Sequence, residues 1–354
     1  GTQIIIAKQH GEGSNSRIGK TLLNAQVYQL ILSTFIFVAL FLFGERIIFH
    51  LSENGDVASA MTDFVGVRAW GLFFAAQHMA LVGFFIGLGR TNIIFISALL
   101  IALCNILLDY LLIDGNWGMP QLGLIGAPLA SSIAEMVGFI FLLAYLFKTP
   151  ALKKYNYKNL KSKIDLKKQI YLINLSYPLM FQGVLSLATW LVFFTLVEHM
   201  GTAALESAHN IRYMYFLAFV PLFGFAASTK TIISNLMGQK KEHLIPKIQN
   251  RIIVLSVLFI LVFFHGALFY PEMLIRIVDH NPTISPKVLS DSIYILKFIS
   301  GSILIYSIAV VFYNSVSAIG KTKVAFMIEV IAIVFYLLAC YFLIIRWEWD
   351  IRHV

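Results

Sequence analysis

Residues 89–113 read GRTNIIFISALLIALCNILLDYLLI, and residues 320–344 read GKTKVAFMIEVIAIVFYLLACYFLI. The two stretches align without a gap: Gly89-Arg90-Thr91 meets Gly320-Lys321-Thr322, and Tyr110, Leu112 and Ile113 meet Tyr341, Leu343 and Ile344. Each is a polar turn followed by an apolar run long enough to cross a bilayer, which takes about 20 mostly apolar residues. A second pair lies upstream of these, Thr2–Gly11 (TQIIIAKQHG) against Thr229–Gly238 (TKTIISNLMG). Self-similarity at fixed spacing signals a duplicated architecture. Both anchor pairs face one side of the membrane, so the halves repeat in parallel. Repeats related by an axis along the membrane normal are typical of secondary transporters that bind substrate between the halves.

Composition agrees with a membrane solvent. Of 354 residues, 59% are hydrophobic, 14% aromatic and only 13% charged, with a mean hydropathy of +0.80. Soluble domains carry about twice that charged fraction, so a soluble enzyme, a disordered chain and a disulfide scaffold are excluded together. Cys104 and Cys340 both lie in apolar runs, which leaves no disulfide framework and no cysteine metal site to read. The formal charge of +9 sits between apolar segments, a placement that points to membrane topology rather than nucleic acid.

The expected fold is all-α and polytopic. Nine full spans are predicted near 23–49, 61–88, 92–113, 123–147, 170–199, 203–236, 247–270, 289–318 and 324–346, with residues 1–10 as the tail of one more. Pro128, Pro178 and Pro221 fall within or near span starts, where neighbouring helices can satisfy the freed backbone groups. Loop charge sets the orientation. Lys8, Arg17 and Lys20, then Arg90, then Lys153 to Lys168, then Lys240, Lys241, Lys247 and Arg251, then Lys321 and Lys323 are read as cytoplasmic. The opposite loops carry Glu53, Asp56, Glu198 and the mixed stretch 271–287.

The expected domains are an N-terminal lobe, 1–148, a basic cytoplasmic linker, 149–168, and a C-terminal lobe, 169–354. The stretch from Lys148 to Lys168 (KTPALKKYNYKNLKSKIDLKK) reads as a solvated, headgroup-touching connection, or as an anionic-lipid site. Gly1 opens inside an apolar segment, so the true start is expected upstream. On the repeat register the first half lacks one span and most of another, and the second lacks its last. Six spans per half, twelve in all, would complete the pattern.

Several polar groups lie inside the spans. Asn105 and Asp109 stand four residues apart and share a helix face. A carboxylate in a span costs at least about 2.5–3.5 kcal/mol and normally faces a cavity, a partner or an ion. Beside an amide oxygen it suits Na⁺ ligation or proton exchange. The matching positions of the second half are Tyr336 and Cys340, so the architecture does not itself demand a polar pair. The bland alternative is an interfacial Asp near the helix end marked by Asp114. Glu135 is a second acid, able to relay protons or to pair with Arg68 or Lys8. Arg212, Lys230 and Lys297 can snorkel to the interface. Trp190, Met214, Phe223 and Tyr313, with Phe181, Phe193 and Phe312, could line a cavity for bulky cations, although packing is the default for any one of 30 phenylalanines. Gln182, one turn after Pro178, is a polar cavity candidate. The stretch from Gly13 to Thr21 has five residues between its glycines where a phosphate loop needs four, and Asn174-Leu175-Ser176 sits at a cytoplasmically entered span start. Neither carries weight. His10, His50, His78, His199 and His209 are scattered, unlike the clusters of an intramembrane transferase.

Gly87-Leu-Gly-Arg-Thr91, the helix Cys104–Ile113 and Leu122-Gly-Leu-Ile-Gly-Ala-Pro-Leu-Ala130 resemble the multidrug and toxic compound extrusion (MATE) family. So do Tyr177-Pro178, Pro221-Leu-Phe-Gly-Phe-Ala-Ala227 and Met237-Gly238-Gln239. The resemblance implies two six-helix lobes around a central cavity open to one side at a time, and cation-coupled export of amphipathic, often cationic, drugs. It implies that Asn105, Asp109 and a hydroxyl on the next helix, here Ser131, build the site for a coupling Na⁺ or H⁺. The family's first helix usually carries a functional Asp, and on this resemblance that helix is expected to fall outside the 354 residues. The place where some members carry a glutamate in the seventh span falls near Ser186, so a proton site there is not supported. A lipid-linked oligosaccharide or lipid flippase of the same superfamily is the alternative, and it trails because intramembrane basic residues are few. No cofactor beyond the coupling ion, no metal beyond that Na⁺ site and no nucleic acid is expected. The expected state is a monomer among lipids in the cell's inner (cytoplasmic) membrane, with a small-molecule substrate.

Overall fold

In hydrocarbon, every backbone N–H and C=O must find its partner within the protein, and a single apolar run can do this only as a helix. The computed structural model of the chain describes residues 1–52, 54–157, 165–279 and 284–351, and every regular element among them is helical. Glu53, the middle of the linker at 158–164 and positions 280–283 of the mixed loop lie outside the described residues.

The helices are α1 (Thr2–Gly11), α2 (Asn15–Leu51), α3 (Gly55–Gly87), α4 (Thr91–Leu112), α5 (Gly126–Lys148), α6 (Leu166–Glu198), α7 (Thr202–Gly238), α8 (Ile245–Phe263), α9 (Gly266–Phe269), α10 (Pro271–Val278), α11 (Pro286–Ala318) and α12 (Thr322–Tyr341). Nine helices among the described residues are long and apolar enough to cross a membrane. The longest, α2 and α7 at 37 residues each, reach roughly 55 Å at 1.5 Å per residue and so extend well beyond a hydrocarbon core of about 30 Å.

The chain divides into two compact units, Gly1–Asn174 and Leu175–Val354. In the first, α3 packs on α1, α2 and α5, and α5 packs on α4. Ile6, Ile18, Leu81, Phe84, Phe85 and Leu142 form its dry centre. In the second, α11 is the hub and packs on α7, α8, α10 and α12, around Leu222, Ile275, Leu296 and Val311. Helix α6 meets α7 and α12 through large rings: Trp190 contacts Tyr215 and Phe216, and Phe193 meets Tyr336.

The repeated turn is visible in the backbone. Gly89 (φ +73°) closes α3, and Gly320 (φ +90°) closes α11. Each holds a left-handed conformation that L side chains adopt only at a cost. Arg90-Thr91 and Lys321-Thr322 then open α4 and α12.

Two local features depart from the sequence reading. The run expected to be continuous over 247–270 breaks after Phe263. The His265 ring binds the Val262 carbonyl through Nδ1 (2.6 Å) and the Tyr270 hydroxyl through Nε2, and Pro271 starts a new short helix. The linker, expected to be solvated, is in part packed on the first unit. Leu152, Tyr155 and Tyr157 are buried in its core, and the Tyr157 hydroxyl donates to the Leu146 carbonyl (2.6 Å). These three apolar and aromatic groups, interleaved with lysines that stay exposed, bury against α2 and α5. At Gly19 the backbones approach so closely that a Cβ would lie 1.9 Å from the Tyr155 carbonyl oxygen. Asn24 fastens the far end of the segment, with its Oδ1 accepting from the Asp165 backbone N–H (3.2 Å) and from Gln169 Nε2 (3.1 Å).

Candidate functional site

Helix α4 brings Asn105 and Asp109 onto one face a turn apart, and the Asn105 amide Nδ2 donates to Asp109 Oδ2 (2.5 Å). Helix α5 comes close because Gly126 abuts the end of α4: a Cβ there would lie 2.8 Å from the Leu112 carbonyl carbon and oxygen. That approach carries Ser131 up to α4, where its hydroxyl donates to Asn105 Oδ1 (3.2 Å). Asn105 therefore uses both ends of its amide, as a donor to the acid and as an acceptor from the hydroxyl. Asp109 Oδ1 is buried and has no hydrogen-bond partner. An anionic oxygen held away from water with nothing to neutralise it is costly, and a monovalent cation or a proton would supply what is missing.

Glu135, one turn beyond Ser131, has a different environment. Its two oxygens accept from the two terminal nitrogens of Arg68 at 2.6 and 2.8 Å. This is a bidentate pair, with side chains 31% and 23% exposed for Arg68 and Glu135. Gly71 makes room for it, since a Cβ there would meet Arg68 Nη1 and the Ser132 hydroxyl at 2.3 Å. With both oxygens occupied by the guanidinium, Glu135 has less to offer an incoming ion than Asp109. His78, also buried in this unit, is joined to the Ser97 hydroxyl (3.0 Å).

The cavity candidates all belong to the second unit. Gln182 on α6 sits beside the Tyr313 hydroxyl of α11. Trp190 stacks on Phe194 and Phe216, with centroids 5.8 and 6.0 Å apart, and meets Tyr215 edge-on. From Tyr215 the rings continue to Phe219 (4.2 Å), and from Phe219 to Tyr306 (4.9 Å) and Phe223 (5.9 Å). Phe223 is exposed, whereas Met214 is 4% exposed and packed in the apolar core. The Arg212 guanidinium lies over the Phe194 and Tyr213 rings.

One acid escaped the sequence reading. Glu329, the single charge in the α12 run VAFMIEVIAIVFYLLACY, accepts a hydrogen bond from the Ser186 hydroxyl of α6 (3.3 Å). A lone carboxylate in an otherwise apolar span was the available signal. Among the described residues, no group of three or more His, Cys, Asp or Glu gathers in a metal-binding arrangement.

A family model described as MatE matches residues 1–111 and 178–342. A protein of Synechocystis sp. described as "Probable multidrug resistance protein NorM" is 30% identical over 307 residues, taking in 84% of this chain and 64% of that protein. One of the same description from Thermotoga maritima is 25% identical over 290 residues, 80% of this chain and 61% of its own length. The chain thus spans less than two thirds of the curated relatives it matches. Among solved structures, an outward-facing multidrug resistance MATE family transporter of the MOP superfamily superposes with a TM-score of 0.87 at 14% identity, over 96% of this chain and 74% of the other. A MOP superfamily transporter from Pyrococcus furiosus gives 0.84 at 14%, over 99% and 80%. At such identities the structural likeness speaks for the fold alone.

Proposed function

The chain belongs to the MatE family, a family of multi-pass membrane transporters, and from that premise we propose that it is a cation-coupled antiporter exporting amphipathic, often cationic, solutes by alternating access. The multidrug resistance descriptions of its relatives support the solute class. One observation carries the coupling site: the buried, unpartnered Oδ1 of Asp109, beside an Asn105 amide oriented by Ser131. Na⁺ or H⁺ arriving there neutralises the acid, and the contacts of α4 with α5 relax to suit. A ligand shifts a conformational equilibrium only by its differential affinity for the two states. The neutralised acid is compatible with one state and the charged acid with the other.

Dye efflux from proteoliposomes under imposed Na⁺ or pH gradients tests this. Asp109→Ala should abolish gradient-driven efflux while membrane insertion and expression stay near normal. Efflux at the unsubstituted rate would remove Asp109 from the mechanism. The gradient that drives the unsubstituted chain identifies the ion.

A further inference from the structure

The first unit holds a cavity of about 350 Å³ between α2, α3 and α5, within the range of about 300–1,000 Å³ usual for small-molecule sites. Its walls are mostly apolar: Leu22 and Leu23 come from α2, and Phe139, Leu143 and Phe147 from α5. The linker supplies one side. Tyr157 lines the cavity, fixed by its hydroxyl on the Leu146 carbonyl (2.6 Å) and by its ring edge-on to Phe147, with centroids 5.5 Å apart. Phe147 is exposed and stands at the end of α5 that the basic loops assign to the cytoplasm.

Two glutamines interrupt the apolar lining. Gln77 Nε2 of α3 donates to the Gln26 main-chain carbonyl (3.1 Å), whereas Gln26 Oε1 is buried without a hydrogen-bond partner. A buried amide left unpaired is costly, so the cavity suits a guest with a polar group as well as an apolar body. A half-turn of the Gln26 side chain exchanges Oε1 for Nε2, and the same position then offers a donor.

The border of the cavity is basic. Residues 136–164 carry six lysines and no acid. Lys148 follows Phe147 directly, and Lys153 and Lys154 shortly precede Tyr157; all three are exposed. The Lys154 ammonium lies 5.1 Å from the centre of the Tyr155 ring. Basic clusters of about this size at the cytoplasmic end of a span attract anionic lipid headgroups. Leu143 stands five residues before Lys148, or about 7 Å deeper along the helix. Inward from the cations, then, lie an amide and apolar walls. A phospholipid runs in the same order, from phosphate to ester carbonyls to acyl chains.

We propose that this cavity holds an anionic phospholipid of the leaflet that the basic loops face. One acyl chain lies between α2 and α5, an ester carbonyl accepts from the Gln26 amide, and the phosphate sits among Lys148, Lys153 and Lys154. Because Tyr157 is part of the wall, the bound lipid also holds the linker down, as a ligand that binds only the docked arrangement must. The site belongs wholly to the first unit, and its occupancy is read without any ion gradient or exported solute.

Calorimetric titration of the purified 354-residue chain in detergent tests this, with dioctanoyl phosphatidylglycerol, dioctanoyl phosphatidylcholine and sn-glycerol 3-phosphate as probes. The anionic lipid should bind at least tenfold more tightly than the zwitterionic one. Glycerol phosphate, which has the anion without the chains, should bind at least a hundredfold more weakly than the anionic lipid. Replacing Lys148, Lys153 and Lys154 together by glutamine should bring the two lipids within threefold of each other. Leu143→Trp fills the cavity and should weaken both lipids at least tenfold. Gln26→Leu keeps the size but removes the amide; it should weaken both at least threefold, and it decides the matter if Leu143→Trp does not fold. With the anionic lipid bound, trypsin should cut at Lys153 and Lys154 at least threefold more slowly. Equal affinity for the two lipids overturns the assignment. So does glycerol phosphate binding as tightly as the anionic lipid, which would reduce the site to a phosphate on lysines. Undiminished lipid binding in the folded cavity variants overturns it too, since the lipid would then rest on the surface lysines alone.

Discussion

The Asn105 amide donates to Asp109 Oδ2 one helical turn further along α4, and in doing so occupies only one of that carboxylate's two oxygens. The amide's other end is held by Ser131 from the neighbouring helix. The pair is thus oriented across two helices.

Ser131→Ala removes a hydrogen bond of ordinary strength, about 1 kcal/mol or roughly fivefold. The Na⁺ or H⁺ concentration that half-saturates efflux should rise by that factor, with the maximal rate little altered. Asn105→Ala takes away both contacts and should raise it by more than Ser131→Ala does. A titration of initial efflux rate against the coupling ion reads both effects.

Removing one member of the Arg68–Glu135 pair leaves a partly buried charge alone. Full burial would cost about 3–5 kcal/mol. Since roughly a quarter to a third of each side chain is exposed, screening reduces the expected loss to about 2 kcal/mol. Thermal unfolding in detergent should show Arg68→Gln and Glu135→Gln each lowering Tm, and the double substitution recovering at least half of the loss. The double variant also separates two roles for Glu135: it retains proton-driven efflux if the pair is structural and loses it if Glu135 relays protons.

Gly89 and Gly320 should respond alike to substitution. Alanine at either must hold a left-handed backbone, which costs about 1–2 kcal/mol. Gly66, helical and with open space where a Cβ would go, should respond in the opposite sense, gaining about 0.5–1 kcal/mol on substitution by alanine. Comparing the three melting temperatures checks the sign as well as the size.

At Gly19 the new methyl group would collide with the Tyr155 carbonyl. Gly19→Ala should lift the linker from α2 at an overpacking cost of about 1–3 kcal/mol. Exposed Lys153 and Lys154 then become trypsin sites, and the cleavage rate should rise by about fivefold to a hundredfold. An unchanged digestion pattern would show that the linker accommodates the methyl group while staying docked on α2.

Spans and turns were readable because they are written locally: twenty apolar residues have one solution in lipid, and the Gly89 and Gly320 turns repeat their neighbours' chemistry as well as their own. The shared face of Asn105 and Asp109 followed from helical spacing. Ser131 did not; only likeness to a family singled it out, since its partner lies 26 positions away on another helix. Glu329 and Ser186 are 143 positions apart, and nothing in either stretch announces the other. The docked linker was obscured for a related reason. Its lysines dominate the composition, while the burial is carried by Leu152, Tyr155 and Tyr157 between them. The break after Phe263 arises from the His265 and Tyr270 side chains, which an apolar average counts as more of the same span.

Superimposing the two copies of the repeated turn has an electrical consequence. In that register Asp109 corresponds to Cys340, and Glu329 lies 11 positions before Cys340 on the equivalent helix, a difference of roughly 16 Å along the axis, or about half of a typical hydrocarbon core. Acids at such different depths feel different fractions of the transmembrane voltage, which acts on a full crossing with about 2.3 kcal/mol per charge per 100 mV. A step in membrane potential would therefore weight the charging of Asp109 and of Glu329 unequally, by about half that amount.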